Sequence, residues 1–143
     1  MRRAYAFSGS WTVDAATARV QEVLVDLERY PDWWPQVLAV ASLGADDARV
    51  LCRSSLPYTL DLVLHAVRRD AALLEVRITG DLDGTVTWRI TEHGPGTRLD
   101  FEQEVTVGGW LAVMSPALGP VLRWNHARMM AGCVEGLRAR LVE

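Results

Sequence analysis

The turn spacing between Gln36 and Val107 is the strongest constraint on the fold. Six strand-like runs lie at 37–43, 47–56, 58–69, 72–80, 84–93 and 96–107. Short breaks divide them: Gly44-Ala45-Asp46-Asp47, Leu56-Pro57, Arg69-Asp70-Ala71, Gly80 to Gly84, and His93-Gly94-Pro95-Gly96. Parallel neighbours need a crossover of a dozen or more residues, and no break here is that long. Consecutive runs must therefore pair as antiparallel hairpins. Residues 3–13 add a seventh strand, with Tyr5, Phe7, Trp11 and Val13 as core candidates.

The last four runs alternate with period two. Leu60, Leu62, Leu64 and Ala66 share a face, as do Leu74, Val76 and Ile78, then Val86, Trp88 and Ile90, then Leu99, Phe101, Gln103 and Val105. Asp61, His65, Glu75, Arg77, Thr85, Thr87, Arg89, Arg98, Asp100, Glu102 and Glu104 take the other face. One side of the sheet is dry and needs a cover. On strand 47–56 the inner face is ambiguous. Val50, Cys52 and Ser54 compete for it with Leu51, Arg53 and Ser55.

The cover is the closing stretch, Ser115–Glu143. Leu118, Leu122, His126, Met129, Met130, Cys133, Val134, Leu137 and Leu141 form one helical arc, opposite Ala127, Ala131, Glu135 and Arg138. Ser115-Pro116 and Gly119-Pro120 offer two helix starts, and one helix is expected over 118–141. Leu122, Met129, Cys133 and Leu137 should be buried, with Glu135 and Arg138 exposed. Before it, Gly108–Met114 reads as an apolar loop. Asp14 is placed to cap a helix over 15–27, and Tyr30-Pro31-Asp32-Trp33-Trp34-Pro35 reads as a short helical turn. One of the two tryptophans should anchor that turn, while the other lines a cavity mouth or the surface.

Composition narrows the chemistry. The chain has 143 residues, half of them hydrophobic, and is expected to form one domain, 1–143. A net charge of −3 gives no pull towards nucleic acid. All 15 basic residues are arginine, which removes Schiff-base lysine chemistry. Cys52 and Cys133 lack metal spacing and read as buried free thiols. No apolar run reaches membrane-span length, and no signal-peptide h-region follows the first residues. A cytoplasmic protein, monomer or homodimer, without metal or cofactor, is the expectation.

Few residues carry candidate chemistry. Glu102 and Glu104 fall on the wet face and should pair with Arg89 and Arg77 across strands. His65 falls on the same face, and His93 lies in a turn. His126 and Gln103 are the polar residues on dry faces. An unpaired polar group there costs roughly 1–3 kcal/mol, so each must meet protein, water or ligand. His126 is either a satisfied core histidine or a polar group inside a cavity. Gly132 and Gly136 beside it are candidates for close packing.

The order of elements, with Phe7-Ser8 to Val13, Val20–Leu27, the Tyr30–Pro35 turn, Gly80–Gly84, Gly96–Leu99 and the long terminal helix, is similar to the helix-grip fold of the START and polyketide cyclase/dehydrase (SRPBCC) superfamily. The turn is typical of small bacterial members. The resemblance covers the whole chain. It implies an α+β fold: a seven-stranded antiparallel sheet wrapped around a long C-terminal helix, with two short helices after the first strand. It also implies a hydrophobic cavity between sheet and helix for a lipid- or polyketide-like ligand. In some members the cavity catalyses ring closure or dehydration. No catalytic motif of a cyclase subgroup can be matched, so His126 is the candidate only if the protein is an enzyme. The expected ligand-contacting set is Trp33, Trp34, Tyr58, Leu62, Val76, Trp88, Phe101, Gln103, Asn125, His126, Met129 and Met130, with Arg53 undecided. The mouth is expected near Trp33, Trp34, Tyr58 and Gly108–Met114.

Overall fold

A computed structural model describes the backbone of residues 3–53, 59–107 and 109–142, and their side chains except at Arg3, Val107 and residues 109–118. The strands are β1 (Arg3–Val13), β2 (Val37–Ser42), β3 (Asp47–Arg53), β4 (Thr59–Arg69), β5 (Leu73–Gly80), β6 (Asp83–His93) and β7 (Gly96–Val107). Helix α1 spans Thr17–Val25, a 3-10 turn follows at Leu27–Asp32, and helix α2 spans Gly109–Leu141. The sheet order is β1-β7-β6-β5-β4-β3-β2. All six pairings are antiparallel, and five of them join consecutive strands. The sixth places β1 beside β7, because the chain must first turn through α1 and the 3-10 turn before it can start the meander.

The dry face is the one that alternation selects. Leu62, Leu74, Ile78, Trp88, Leu99 and Phe101 are buried, whereas Glu102, Glu104, Arg77 and His65 are exposed. The ambiguity on β3 resolves in favour of Val50 and Cys52, which are buried with Ala48, while Arg49 and Arg53 face solvent. His65 meets the Asp47 carboxylate through Nδ1 at 2.6 Å on the wet face. The register corrects the expected partners of the glutamates. Thr87 stands opposite Glu102 and Thr85 opposite Glu104, while Arg89 faces Asp100.

Three local boundaries differ from those expected. Ala16, not Asp14, stands at the N-cap of α1, without a side-chain cap bond. The reason is that β1 stays paired to Val13, and Thr97 then holds the Ala15 carbonyl through its hydroxyl at 2.6 Å. The expected helix 15–27 divides into α1 and the 3-10 turn at Asp26. The third change is larger: α2 begins at Gly109, so the apolar loop expected at Gly108–Met114 is helical from Gly109 on. Pro116 and Pro120 lie inside it. Each lacks only its own N–H donor to the carbonyl four residues back, and the flanking bonds carry the helix through.

The C-terminal end of the core is solid. Val20 from α1, Thr97 and Leu99 from β7, and Cys133 and Leu137 from α2 are all fully buried. Glycine allows the close approach of α2 to the segment after α1. A Cβ on Gly136 would collide with the Trp33 backbone carbonyl, and one on Gly132 with the Gln36 side chain. The helix penalty of roughly 1 kcal/mol per glycine is thereby offset by contact. Among the described residues, no helix is long and apolar enough to cross a membrane.

Candidate functional site

The other end of the core is hollow. A cavity of about 200 Å³ lies between the inner face of the sheet and α2, closed on a third side by α1 and the 3-10 turn. Its floor is built by register. Phe7, Gln103, Val86, Val76 and Ala66 stand side by side on five strands, and Phe101, Trp88, Leu74 and Arg69 form the next row. The roof is Leu122, Asn125, His126, Met129 and Met130 of α2. Leu24, Val25, Leu27, Tyr30 and Trp34 close the side.

Ten of the twelve side chains proposed from sequence line this space: Trp34, Leu62, Val76, Trp88, Phe101, Gln103, Asn125, His126, Met129 and Met130. Trp33 does not. It is buried behind the wall, edge-on to Tyr30 at 4.8 Å, and anchors the turn. Trp34 faces the cavity and donates from Nε1 to the Met129 carbonyl at 3.0 Å, which fastens the turn to α2. Tyr58 and Gly108 lie outside the described residues, as do the side chains of 109–114. Leu122 and Met129 were expected to be buried and are half-buried instead, because they face empty space rather than other atoms.

The two polar residues on dry faces meet each other. His126 Nε2 and Gln103 Oε1 are 2.8 Å apart. A glutamine oxygen only accepts, so this geometry assigns the proton to Nε2 and leaves Nδ1 as the lone-pair nitrogen. The imidazole lies flat on Phe7, with ring centres 3.8 Å apart and planes 9° from parallel. Phe101 flanks it at 5.9 Å. Tyr5 continues the stack beyond Phe7 at 6.3 Å, and the Arg123 guanidinium sits over the Tyr5 ring at 5.9 Å. Burial among these rings pulls the His126 pKa down from 6.5 to about 4, because the charged imidazolium loses its hydration. The histidine is therefore neutral at pH 7.

The remaining polar groups of the lining are quiet. Tyr30 gives its hydroxyl proton to the Leu24 carbonyl at 2.5 Å, and burial raises its pKa. The Cys52 thiol lies in the wall, with a pKa pushed up to about 11 by desolvation. No cluster of histidine, cysteine or carboxylate able to hold a metal occurs among the described residues. Sequence reasoning left Tyr5, Phe7, Leu64, Val86, Arg68 and Arg69 out of the site. Phe7 was legible, since alternation in β1 already turned it inward. Arg69 was not, for its inward register depends on a β-bulge between Ala66 and Arg68.

Comparison with solved structures agrees with this architecture. A START superfamily protein from Mycobacterium smegmatis superposes with a TM-score of 0.80 at 16% identity, covering 95% of this chain and 96% of that one. A protein from Thermus thermophilus gives 0.81 at 18%, covering 96% and 97%. The Zhui aromatase/cyclase from Streptomyces sp. R1128 gives 0.78 at 15%, covering 97% and 94%. Identities this low speak for the fold alone. No curated protein matches the sequence. The family model described as polyketide cyclase / dehydrase and lipid transport matches residues 5–142. With its seven-stranded sheet gripping a long terminal helix over a cavity, the chain belongs to the polyketide cyclase / dehydrase and lipid transport family.

Proposed function

We propose that the protein binds a small hydrophobic, lipid- or polyketide-like ligand in this cavity and carries out no chemistry on it. One observation supports this reading above others: the cavity wall is mainly aliphatic and aromatic, and its central polar residues, His126 and Gln103, are hydrogen-bonded to each other. Small-molecule sites are mostly apolar with few placed polar groups. An apolar cavity of about 150 Å³ already accepts benzene, so the space is adequate for part or all of a small ligand. Two methionines in the roof let the wall adapt to shape. On this reading the protein is a cytoplasmic carrier or sensor that takes neither metal nor nucleic acid.

A second reading keeps the same cavity and makes the protein a cyclase or dehydratase. Its support is that His126 is inside the cavity and neutral. A base with a pKa of about 4 is weak at pH 7, and no carboxylate lies among the described lining residues to strengthen it. This is why binding is the preferred function.

Titration with the neutral fluorophore N-phenyl-1-naphthylamine tests the proposal. Wild type should bind it with enhanced, blue-shifted emission. His126→Leu should keep the affinity within a few-fold, because apolar area dominates. Val76→Trp, which fills the floor, should abolish binding while the fold persists. Loss of binding in neither variant, or no binding in wild type, removes the cavity from the function. Turnover of a polyketide-like substrate by wild type and not by His126→Leu would favour the second reading.

A further inference from the structure

The cavity has two unlike ends. At one end sits the neutral pair His126 and Gln103. At the other, the floor runs out to Arg68 and Arg69, the last residues of β4. Both are in the lining although they are consecutive, an arrangement a regular strand forbids, since neighbours point to opposite faces. The bulge between Ala66 and Arg68 turns Arg69 inward, while Arg68, exposed at the end of the strand, borders the cavity beside it. Val67 is the extra residue and is exposed. The phase then changes, so that Arg68 stands opposite Glu75 and Arg69 opposite the inward Leu74. Bulges next to binding sites commonly re-aim side chains in this way.

We propose that the ligand carries a carboxylate at one end of an apolar body and that Arg68 and Arg69 receive it at the rim. The inference rests on the reading that the cavity binds a ligand. Three observations lead to it. The described lining contains two guanidinium groups and no Asp or Glu, so a cationic ligand meets no counter-charge and an anionic one meets two. The present partners of both arginines are on the solvent side. Arg68 meets Asp70 through Nε, and Arg69 meets Asp46 at 3.0 Å and the Ala45 carbonyl at 2.9 Å. The side chains in both ion pairs are 45–55% exposed. Exposed pairs of this kind contribute little, so a ligand carboxylate can share the guanidinium forks without losing much. Each fork has five donors, and the geometry suits a planar carboxylate.

Register also sets a length. Gln103 and Arg69 are three strands apart, from β7 to β4. At about 4.8 Å per strand this is roughly 14 Å along the floor. A medium-chain or flat aromatic monocarboxylate spans such a floor, with its far end at the neutral pair.

The test is displacement of N-phenyl-1-naphthylamine from wild type by decanoate, 1-decanol and decylammonium at pH 7. Decanoate should compete at a roughly tenfold lower concentration than decanol, an advantage of one charge-assisted contact, and decylammonium should be weakest. Raising the salt to about 1 M should shrink the preference, since the pair is exposed and screened. Arg68→Gln/Arg69→Gln should bind decanoate and decanol alike, with decanol unchanged within about twofold. If the double variant loses its native circular dichroism, Arg69→Gln alone and the wild-type salt titration carry the same comparison. Equal competition by decanoate and decanol in wild type, or a preference that survives the arginine substitutions, overturns the charged-end proposal and leaves cavity binding standing. Absence of any fluorophore binding overturns the cavity reading beneath it.

Discussion

Helix α2 covers two regions that share one sheet and differ in how they are filled. Around Cys133 and Leu137 the helix meets α1 and β7 with no space left, and every central side chain is fully buried. One to three turns earlier, Leu122, His126 and Met129 reach over the same sheet and touch a void. The apolar arc is continuous across both. What differs is the opposing surface. At the solid end Val20 rises from α1, and Gly132 and Gly136 let the helix settle onto Gln36 and Trp33. At the hollow end Phe7 and Gln103 reach the roof at His126, but their row neighbours Val86, Val76 and Ala66 are too short to fill the space beside them. Close packing is concentrated in the first region, which leaves the second with space to hold something else.

The largest expected effect should come from breaking the solid end. Leu137→Ala, at a fully buried site, should cost about 3 kcal/mol in urea denaturation. Met129→Ala should cost about 1 kcal/mol, because it enlarges a space that already exists. Similar losses in both would erase the distinction between the regions.

Gly136→Ala is expected next. Helix propensity alone predicts a gain of roughly 1 kcal/mol, yet the new methyl would meet the Trp33 carbonyl. A net loss of about 2 kcal/mol is expected, as for other overpacked sites. Gly132→Ala should be milder, since the Gln36 side chain can move. A thermal melt showing Gly136→Ala stabilised would mean that α2 does not dock as closely as described.

The hollow end should reveal itself through pH. The folded pKa of His126, about 4, lies below the unfolded value of 6.5. The unfolded chain therefore takes up the proton first. Stability tied to neutral His126 is present above pH 6.5 and is lost as pH falls from 6.5 towards 4. The loss should be on the order of 2 kcal/mol, discounted for partial exposure. In His126→Gln this portion of the pH–stability curve should flatten; an unchanged slope would assign it to other groups.

The smallest effect concerns the wet face. Glu102→Gln and Glu104→Gln should each change stability by less than about 1 kcal/mol and leave fluorophore binding as it is. A large loss of binding in either would put the cavity on the wrong side of the sheet.

Much of this architecture was legible because it depends on period. Alternation in 58–107 assigned the inner and outer faces, and short turns left antiparallel pairing as the only topology. The helical arc from Leu122 to Leu137 named most of the roof. Boundaries were less legible. Nothing in Ser115-Pro116 or Gly119-Pro120 tells a reader that both prolines lie inside a helix already under way from Gly109.

The sequence by itself determined the sheet, the covering helix and the inward placement of His126 and Gln103, since these follow from periodicity and turn length. Only the tertiary structure decided that those two residues hydrogen-bond to one another at 2.8 Å, that Trp34 and not Trp33 faces the cavity, and that Arg68 and Arg69 stand at its rim. Pairing between β7 and α2, the direction of one indole, and the phase change at a bulge all depend on which strand lies beside which. That is settled by non-local packing, and local sequence patterns carry no record of it.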